Sequence, residues 1–186
     1  MARPIEFNKE AVLMNAMKVF WLKGYESTSM ADLIEATGLT SRSMYNVFGS
    51  KNGFFKATLD KYYEGLIGPL AKLEHGEGAK AIRTYVETIS AMEPLNGCLY
   101  VNTLSEKNSV EDDCVRKVMR HFERLESAFR SKLEYAKEHE NFTAEPKLRA
   151  KQLVSMLQGL AVYSKINFSV EEQKEMAQDS LRMIGI

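Results

Sequence analysis

Apolar side chains recur at intervals of three and four residues along most of this chain, which is the spacing of amphipathic helices. Long alternations of apolar and polar residues, typical of half-buried strands, are absent. The pattern therefore predicts an all-α protein. Its first helix is predicted over residues 8–23, with a buried side formed by Val12, Ala16, Val19 and Phe20.

Two short helices joined by a glycine are predicted next. Ser29 can cap the first of them, with Asp32 completing a capping box, and Gly38 lies where helices often end in the left-handed conformation. Thr40 can cap the second short helix. Helical spacing predicts that this second helix packs inward through Met44, Val47 and Phe48.

The opposite face of the second short helix carries side chains that suit a DNA groove. Arg42 and Asn46 lie on this face, flanked by Ser43 and Tyr45. Arginine can bind guanine, asparagine can bind adenine, and hydroxyl groups can reach bases or phosphates. Residues 38–59 contain basic side chains and no acidic one, which favours a phosphate backbone. On this pattern alone, a helical hairpin with an ordinary solvated face remains the alternative.

Several further features occur in a fixed order around these helices. They are an aromatic residue before Trp21, the Gly24-Tyr25 break, the Thr28-Ser29 cap, Gly38, Tyr45, and the turn Phe48-Gly49-Ser50-Lys51. In these features, residues 23–55 resemble the DNA-binding domain of the TetR family of transcriptional regulators. The resemblance covers roughly the first third of the chain. It implies a helix-turn-helix domain over residues 1–50 and a helical domain for ligand binding and dimerisation over residues 51–186.

The resemblance also implies which residues contact DNA. In the family, the lysine at the position of Lys51 meets a phosphate at a helix N-terminus, where free N–H groups favour an anion. Val47 departs from the family, which often has a histidine or aromatic residue there, so Lys51 is expected to matter more. Gly53 replaces a stronger helix former. The expected DNA contacts are Ser29, Thr40, Ser41, Arg42, Ser43, Tyr45, Asn46 and Lys51; Arg3, in the short N-terminal arm, is either a further contact or solvated.

The remainder of the chain predicts six more helices, about nine in all. A long helix begins after Ser50 and is expected to run to about Leu66 or beyond, with a break marked by Gly65, Gly68-Pro69 and residues 74–78. The other five are predicted over residues 79–92, 98–106, 110–139, 146–167 and 169–185. A turn at Pro94-Leu95-Asn96-Gly97 precedes the second of these five.

A homodimer follows from the resemblance, because the last two helices of family members pack against a second copy as a four-helix bundle. It also fits the physics, since one recognition helix reads too few base pairs to be selective. The expected interface residues are Leu153, Met156, Leu157, Leu160, Met176, Leu181 and Ile184.

Family members usually enclose a small-molecule pocket in the second domain. Aromatic residues and methionines at helical spacing are also ordinary core residues, so both interpretations stay open. The candidate pocket residues are Tyr62, Tyr63, Tyr85, Ile89, Met92, Cys98, Phe122, Phe129, Met156, Gln158 and Ser164.

The two cysteines suggest different chemistry. Cys98 could sense oxidants or electrophiles if it is exposed at a helix N-terminus, or it could be a buried small residue. Cys114 is a poorer candidate, because neighbouring acids, Glu111 to Asp113, raise the pKa of a thiol.

Composition narrows the function further. The formal net charge is zero, which argues against a general polyanion binder and leaves DNA binding to local charge. No signal peptide or membrane-spanning apolar run is recognised, so a cytoplasmic protein without a membrane partner is expected. The three histidines are scattered, so neither a metal site nor a cofactor is expected.

The favoured interpretation is a DNA-binding repressor that binds a near-palindromic operator as a homodimer and is released by an unknown small-molecule inducer. Repression, as opposed to activation, is an implication of the resemblance only. One alternative is a constitutive DNA-binding dimer without a ligand. Another is a helical enzyme or cofactor carrier, which the missing catalytic constellation and phosphate loop disfavour.

Overall fold

The computed structural model describes residues 7–92, 97–166 and 169–186. Within these ranges the chain forms nine α-helices and no strand, which confirms the predicted fold class. The helices are α1 (Lys9–Lys23), α2 (Met30–Thr37), α3 (Ser41–Phe48), α4 (Lys51–His75), α5 (Gly78–Ser90), α6 (Leu99–Ser105), α7 (Asp112–His139), α8 (Pro146–Tyr163) and α9 (Val170–Met183). Residues 94–96 of the predicted turn, the arm with Arg3 and the predicted helix end at Asn167 lie outside the described residues.

The caps predicted at Ser29, Gly38 and Thr40 are present. At α2, the Ser29 hydroxyl accepts a hydrogen bond from the Asp32 N–H at 3.1 Å, and the Asp32 carboxylate accepts one from the Ser29 N–H at 2.8 Å. Ser169 and Glu172 form the same reciprocal pair at α9. Gly38 ends α2 with a φ of 69°. Single side-chain caps begin α1, α3 and α4, from Asn8, Thr40 and Ser50.

Two hydrophobic clusters form the core. The first contains Phe20, Leu33 and Met44 of α1 to α3, and it is completed by residues of α4, α6 and α7, including Phe55 and Tyr100. The second lies between the far end of α4 and helices α5, α7, α8 and α9. The first cluster thus extends past residue 50, so the helix-turn-helix segment packs on α4, α6 and α7. A domain boundary at residue 50 stays a prediction.

Helix α4 does not break at Gly65 or Gly68-Pro69 but continues to His75, which corrects the expected break. A proline inside a helix costs about 3 kcal/mol. Leu70 and Leu73, directly after it, are fully buried in the second cluster, and each such burial contributes roughly 1.5–3 kcal/mol. The packing gain therefore matches or exceeds the cost of the proline, and the helix continues.

The spacing of apolar residues predicted burial at a position that is exposed in the structure. Val47 is 43% exposed, because α3 has only two turns and reaches the core through Met44 and through Phe48, whose ring stacks on Phe54 at 4.0 Å. The structure ends α8 at Tyr163, before the predicted end.

Three of the expected dimer residues lie in the core of the protomer itself. Leu153, Leu160 and Leu181 are at most 6% exposed, so they have no surface left to offer a second copy. The physical reason is that α8 packs along α7 and α9 packs against α5, which turns the apolar stripes of both helices inward. Met156, Leu157 and Ile184 are half-buried against the same cluster, and Met176 is exposed.

His121 of α7 is buried in a ring of aromatic side chains. Its imidazole lies 5.8 Å from the Tyr63 ring, 5.1 Å from the Tyr100 ring and 5.5 Å from the Phe122 ring, centroid to centroid. Burial, with a smaller effect of the positive charge on Arg124, lowers the pKa of His121 to about 4. The folded protein therefore holds this histidine neutral.

Glycines 65 and 53 give a paired prediction for stability. Gly65→Ala should raise the free energy of unfolding by about 0.5–1 kcal/mol, because the position is helical, exposed and has open space where a Cβ would lie. Gly53→Ala should lower it instead, because a Cβ there would collide with the Phe48 carbonyl oxygen. Urea unfolding of both variants measures the difference, and stabilisation by both substitutions would contradict the close approach at Gly53.

The neutral His121 predicts a pH dependence of stability. As pH falls from 6.5 towards 4, the unfolded chain binds a proton at this histidine that the folded chain does not, so stability decreases through this window. The full effect is about 3 kcal/mol. His121→Phe keeps a ring in place and should lose less stability on acidification, as measured by urea unfolding at pH 7, 6, 5 and 4. If the free energies of unfolding of the two proteins decreased equally with falling pH, a neutral His121 in the folded protein would be contradicted.

Candidate functional site

The outer face of α3 presents four side chains that are free to bind. In the part of the chain that the structure describes, Ser41, Arg42, Tyr45 and Asn46 are exposed and make no side-chain hydrogen bond or ion pair. Thr40 and Ser43, also expected to contact DNA, are already engaged with each other, with their hydroxyl oxygens 3.0 Å apart. The unengaged groups are a guanidinium, an amide and two hydroxyls, which are donors and acceptors that can read base edges.

Ser29 acts in the structure as the cap of α2. Its hydroxyl donates to the Asp32 carboxylate at 2.8 Å, and the Lys23 ammonium donates to the same carboxylate at 2.7 Å. The bond from Lys23 and those from Ser29 hold the pKa of Asp32 well below its usual range. A hydrogen bond from the Ser29 hydroxyl to a DNA phosphate would have to replace its bond to Asp32.

Lys51 joins the start of α4 to the turn between α1 and α2. Its Nζ donates to the Glu26 carbonyl oxygen at 3.2 Å and lies 4.4 Å from the centre of the Tyr25 ring. The side chain is partly buried, which lowers the pKa of Lys51. An ammonium has three N–H groups, so Lys51 can keep this position and still donate to a phosphate. The contacts with Glu26 and Tyr25 could not be read from the sequence pattern.

A cavity of about 550 Å³ lies between α1, α4 and the helices of the second cluster. Eight of the expected pocket residues line it: Tyr62, Tyr85, Ile89, Met92, Cys98, Phe122, Gln158 and Ser164. Tyr63 lies outside, with its hydroxyl bound by Arg124 at 2.8 Å. Phe129 and Met156 also lie outside the cavity. Phe129 is buried in the second hydrophobic cluster, and Met156 packs against that cluster.

Sequence reasoning missed the wall that α1 contributes. Met14, Met17 and Trp21 line the cavity, together with Glu10 at the start of the helix. These residues follow one another at three- and four-residue intervals, beside the stripe that was expected to be buried, so a second apolar side of α1 was the available signal. His121 and Gln173 line the cavity as well.

The polar groups of the cavity are mostly paired. Lys61 donates to Glu10 and to Glu64, both at 2.7 Å, and these three are the charged residues among the described lining. Gln173 donates to the Ser90 carbonyl oxygen at 3.1 Å, while its own Oε1 is buried without a hydrogen-bond partner. The rest of the lining is largely aromatic, aliphatic or methionine.

The two cysteines lie in different surroundings, and both are free thiols. Cys98 lies half-buried at the N-terminal cap of α6 and accepts a hydrogen bond from the Tyr62 hydroxyl at 3.3 Å. Burial raises the pKa of the Tyr62 hydroxyl well above its usual value. Cys114 is fully buried, and burial, assisted by the Asp113 charge, raises the pKa of its thiol to about 12. A thiol with so high a pKa is a poor nucleophile.

The described ranges contain neither a cluster of metal-binding side chains nor a membrane-spanning helix. No group of three or more histidine, cysteine or acidic residues comes close enough there to hold a metal ion. None of the described helices has both the length and the apolar character needed to cross a membrane.

Comparison with known proteins agrees with this architecture. Residues 12–58 match the family described as bacterial regulatory proteins, tetR family. The structure superimposes on that of the TetR family regulator CifR, a cysteine mutant in complex with 26-bp double-strand operator DNA, with a TM-score of 0.80, 23% identity and coverage of 97% of this chain and 98% of CifR. At this identity, the likeness shows the shared fold.

Two curated relatives extend the comparison. Over 62 residues the chain is 50% identical to the HTH-type transcriptional repressor ComR of Escherichia coli (strain K12), but that match spans only 33% of this chain and 30% of ComR. Over 151 residues it is 30% identical to the uncharacterized HTH-type transcriptional regulator YezE of Bacillus subtilis (strain 168), with 78% of each chain covered. Because the similarity to YezE extends over most of both sequences, the chain belongs to the TetR family of DNA-binding transcriptional regulators.

Proposed function

We propose that this regulator is a repressor that binds a near-palindromic operator as a homodimer and is released from DNA by a small molecule. The observation that carries the proposal is the free outer face of α3, with Ser41, Arg42, Tyr45 and Asn46 exposed beside a segment without acidic residues. Membership of a family of regulators removes the enzyme alternative.

The relatives support both DNA binding and repression. ComR, which is half identical over its matching segment, is a transcriptional repressor. CifR, which has the same fold, was crystallised on operator DNA. In this chain α3 has eight residues and is therefore about 12 Å long, a size that the major groove accommodates. Arg42 and Asn46 are the side chains that we assign to base contacts, and Lys51 is assigned to a phosphate.

A two-fold dimer supplies the selectivity that one short helix lacks. Two copies of α3 bound to successive major grooves on one face of the duplex would lie roughly 34 Å apart, which makes the operator near-palindromic. The second copy requires an exposed surface with apolar character, and α8 provides one.

One face of α8 is exposed along its full length. Its residues follow a spacing of four and three, which is the pattern of a helix that packs on another helix. Gly159, in the second half of the helix, has no atom within 4 Å of the place where a Cβ would lie, so a second helix could approach closely there. The residues of this face are Leu148, Gln152, Ser155, Gly159 and Val162. Ile166, in the turn after α8, and Met176 and Met183 of α9 are exposed as well. We assign the dimer surface to this face.

Release by a small molecule is supported by the cavity. A volume of about 550 Å³ lies within the range of roughly 300–1,000 Å³ that small-molecule sites occupy. Helix α4 lines the cavity and also carries Lys51 at its start. A ligand that favours a different tilt of α4 would therefore change the spacing of the two recognition helices.

The assignment of Arg42 to bases and of Lys51 to a phosphate predicts different losses of DNA affinity for the two alanine variants. Arg42→Ala should weaken binding to an operator selected from a random duplex library at least tenfold, because each lost bidentate contact is worth about 1–3 kcal/mol. Lys51→Ala should weaken binding to all duplexes and lower the slope of log affinity against log salt by about 1 per protomer. Mobility-shift titrations at several salt concentrations separate the two, with thermal unfolding as the control for folding. Unchanged operator affinity for Arg42→Ala would contradict the recognition face.

The assigned dimer surface is tested by placing a charged side chain on it at position 159. Gly159→Arg should produce monomers in sedimentation equilibrium, because the bulky cation prevents close approach of two helices, whereas Gly159→Ala should stay dimeric. Both substitutions favour the helix over glycine, so neither should destabilise the protomer. A Gly159→Arg dimer of unchanged affinity would move the interface elsewhere.

A further inference from the structure

Helix α1 belongs to the helix-turn-helix segment and also forms one wall of the cavity. Met14, Met17 and Trp21 line the cavity, while Val12, Ala16 and Phe20 lie in the first hydrophobic cluster with Leu33 of α2 and Met44 of α3. The same helix therefore lines the space for a ligand and shares a hydrophobic cluster with α2 and α3. A ligand in this cavity would need no intermediate element to reach the DNA-binding segment.

Trp21 is the centre of the contacts between this wall and its neighbours. Its indole Nε1–H donates to the Gly97 carbonyl oxygen at 3.1 Å. The indole also packs edge-on against the Tyr62 ring of α4, with centroids 5.1 Å apart and an interplanar angle of 83°. Tyr62 in turn donates to Cys98 at the cap of α6. Three parts of the chain thus meet at one indole beside the cavity.

A second link joins α1 to α4 at the other end of the wall. Lys61 of α4 is held between Glu10 of α1 and Glu64 of its own helix. Both carboxylates are exposed, so this ion pair contributes little by itself. Of these two links between α1 and α4 beside the cavity, the one through Trp21 is therefore the stronger.

The charges of the lining residues determine what charge a molecule bound in the cavity can carry. Every charged residue of the described lining belongs to the Glu10, Lys61 and Glu64 cluster, and the buried His121 is neutral at physiological pH. An anionic ligand would lose its hydration here and face a cluster with a formal charge of −1, and a cationic one would find its partners only in carboxylates that are exposed to solvent. An apolar ligand would instead bury its surface against aromatic and aliphatic side chains. Gln158, Ser164 and Gln173 leave room for a small number of hydrogen bonds.

We propose that the cavity binds an electrically neutral, largely apolar molecule that packs against Trp21 and acts on the DNA-binding helices directly through α1. This inference rests on the proposed control of DNA binding by a small molecule. An occupant that displaces the indole breaks its bond to Gly97 and changes the tilt of α1, and α2 and α3 move with it because they share the first cluster. By linkage, operator DNA weakens binding of the same molecule by an equal factor.

Ligand class is tested with two probes that share one aromatic skeleton. N-phenyl-1-naphthylamine is neutral, and 8-anilino-1-naphthalenesulfonate differs from it by one sulfonate. The neutral probe should bind once per protomer and at least tenfold more tightly in calorimetry. Equal or tighter binding of the sulfonate would overturn the assignment of a neutral ligand.

Contact with Trp21 is tested in the same samples, because it is the only tryptophan in the chain. Protein labelled with 5-fluorotryptophan gives a single fluorine resonance for a symmetric dimer. The neutral probe should shift this resonance in proportion to occupancy, to completion at one probe per protomer. Saturation by the probe without any shift would overturn the contact.

Coupling to DNA is tested with Trp21→Phe, which keeps an aromatic ring beside Tyr62 but removes the indole N–H. In the natural protein the neutral probe should lower operator affinity at least tenfold, and in Trp21→Phe at most threefold at saturating probe. Ile89→Val, on the α5 wall, is the matched control: it should weaken probe binding slightly and keep the full effect at saturation. Equal effects in the two variants, or no effect in the natural protein, would overturn the coupling.

Failure of this inference is distinguishable from failure of the proposed function. Probe binding and the fluorine resonance are measured without DNA and judge the cavity alone. Selection of a duplex, in the absence of any probe, judges DNA binding alone. A protein that binds a selected duplex but ignores the probe would retain its DNA-binding role and lose the proposed ligand class.

Discussion

Helix α4 packs into both hydrophobic clusters at once, and the arrangement of the other helices follows from this constraint. Phe54, Phe55 and Leu59 anchor its first half in the cluster that holds α1 to α3, and Leu70 and Leu73 anchor its second half among α5, α7, α8 and α9. With 25 residues the helix spans about 37 Å, so a small tilt at one end becomes a displacement at the other. A bidentate ion pair between Arg124 and Glu74 ties the far end to α7.

The recognition face depends on how little of α3 is buried. Met44 and Phe48 lie one turn apart and fix this short helix against its neighbours, and every other side is left to solvent or to DNA. Lys51 supports the same region from α4, since its contacts with Tyr25 and Glu26 hold the helix start against the α1–α2 turn. The side chains that are assigned to DNA therefore project from a short helix that its neighbours hold in a fixed position, which is the arrangement that base recognition requires.

Much of the candidate site was predictable because its chemistry is local. The unengaged side chains of α3 follow from helical geometry alone. Tyr62, Tyr85 and Ile89 line the cavity as expected because they lie on helices whose apolar sides were recognised. Trp21 could not be placed there. Its bond to Gly97 joins residues 76 positions apart, and nothing in the spacing of α1 says that α6 begins beside it.

The sequence by itself determined the helices, their caps and the glycine that ends α2, because each of these depends on residues within one or two turns. Ser29 with Asp32 and Ser169 with Glu172 are such local pairs. Only the tertiary structure decided that α4 continues through Pro69, that Leu153 and Leu160 face the protomer's own core, and that Val47 stays exposed. Where a helix has apolar residues on more than one side, its own sequence does not specify which side packs against a neighbour. The positions of the other helices make that choice.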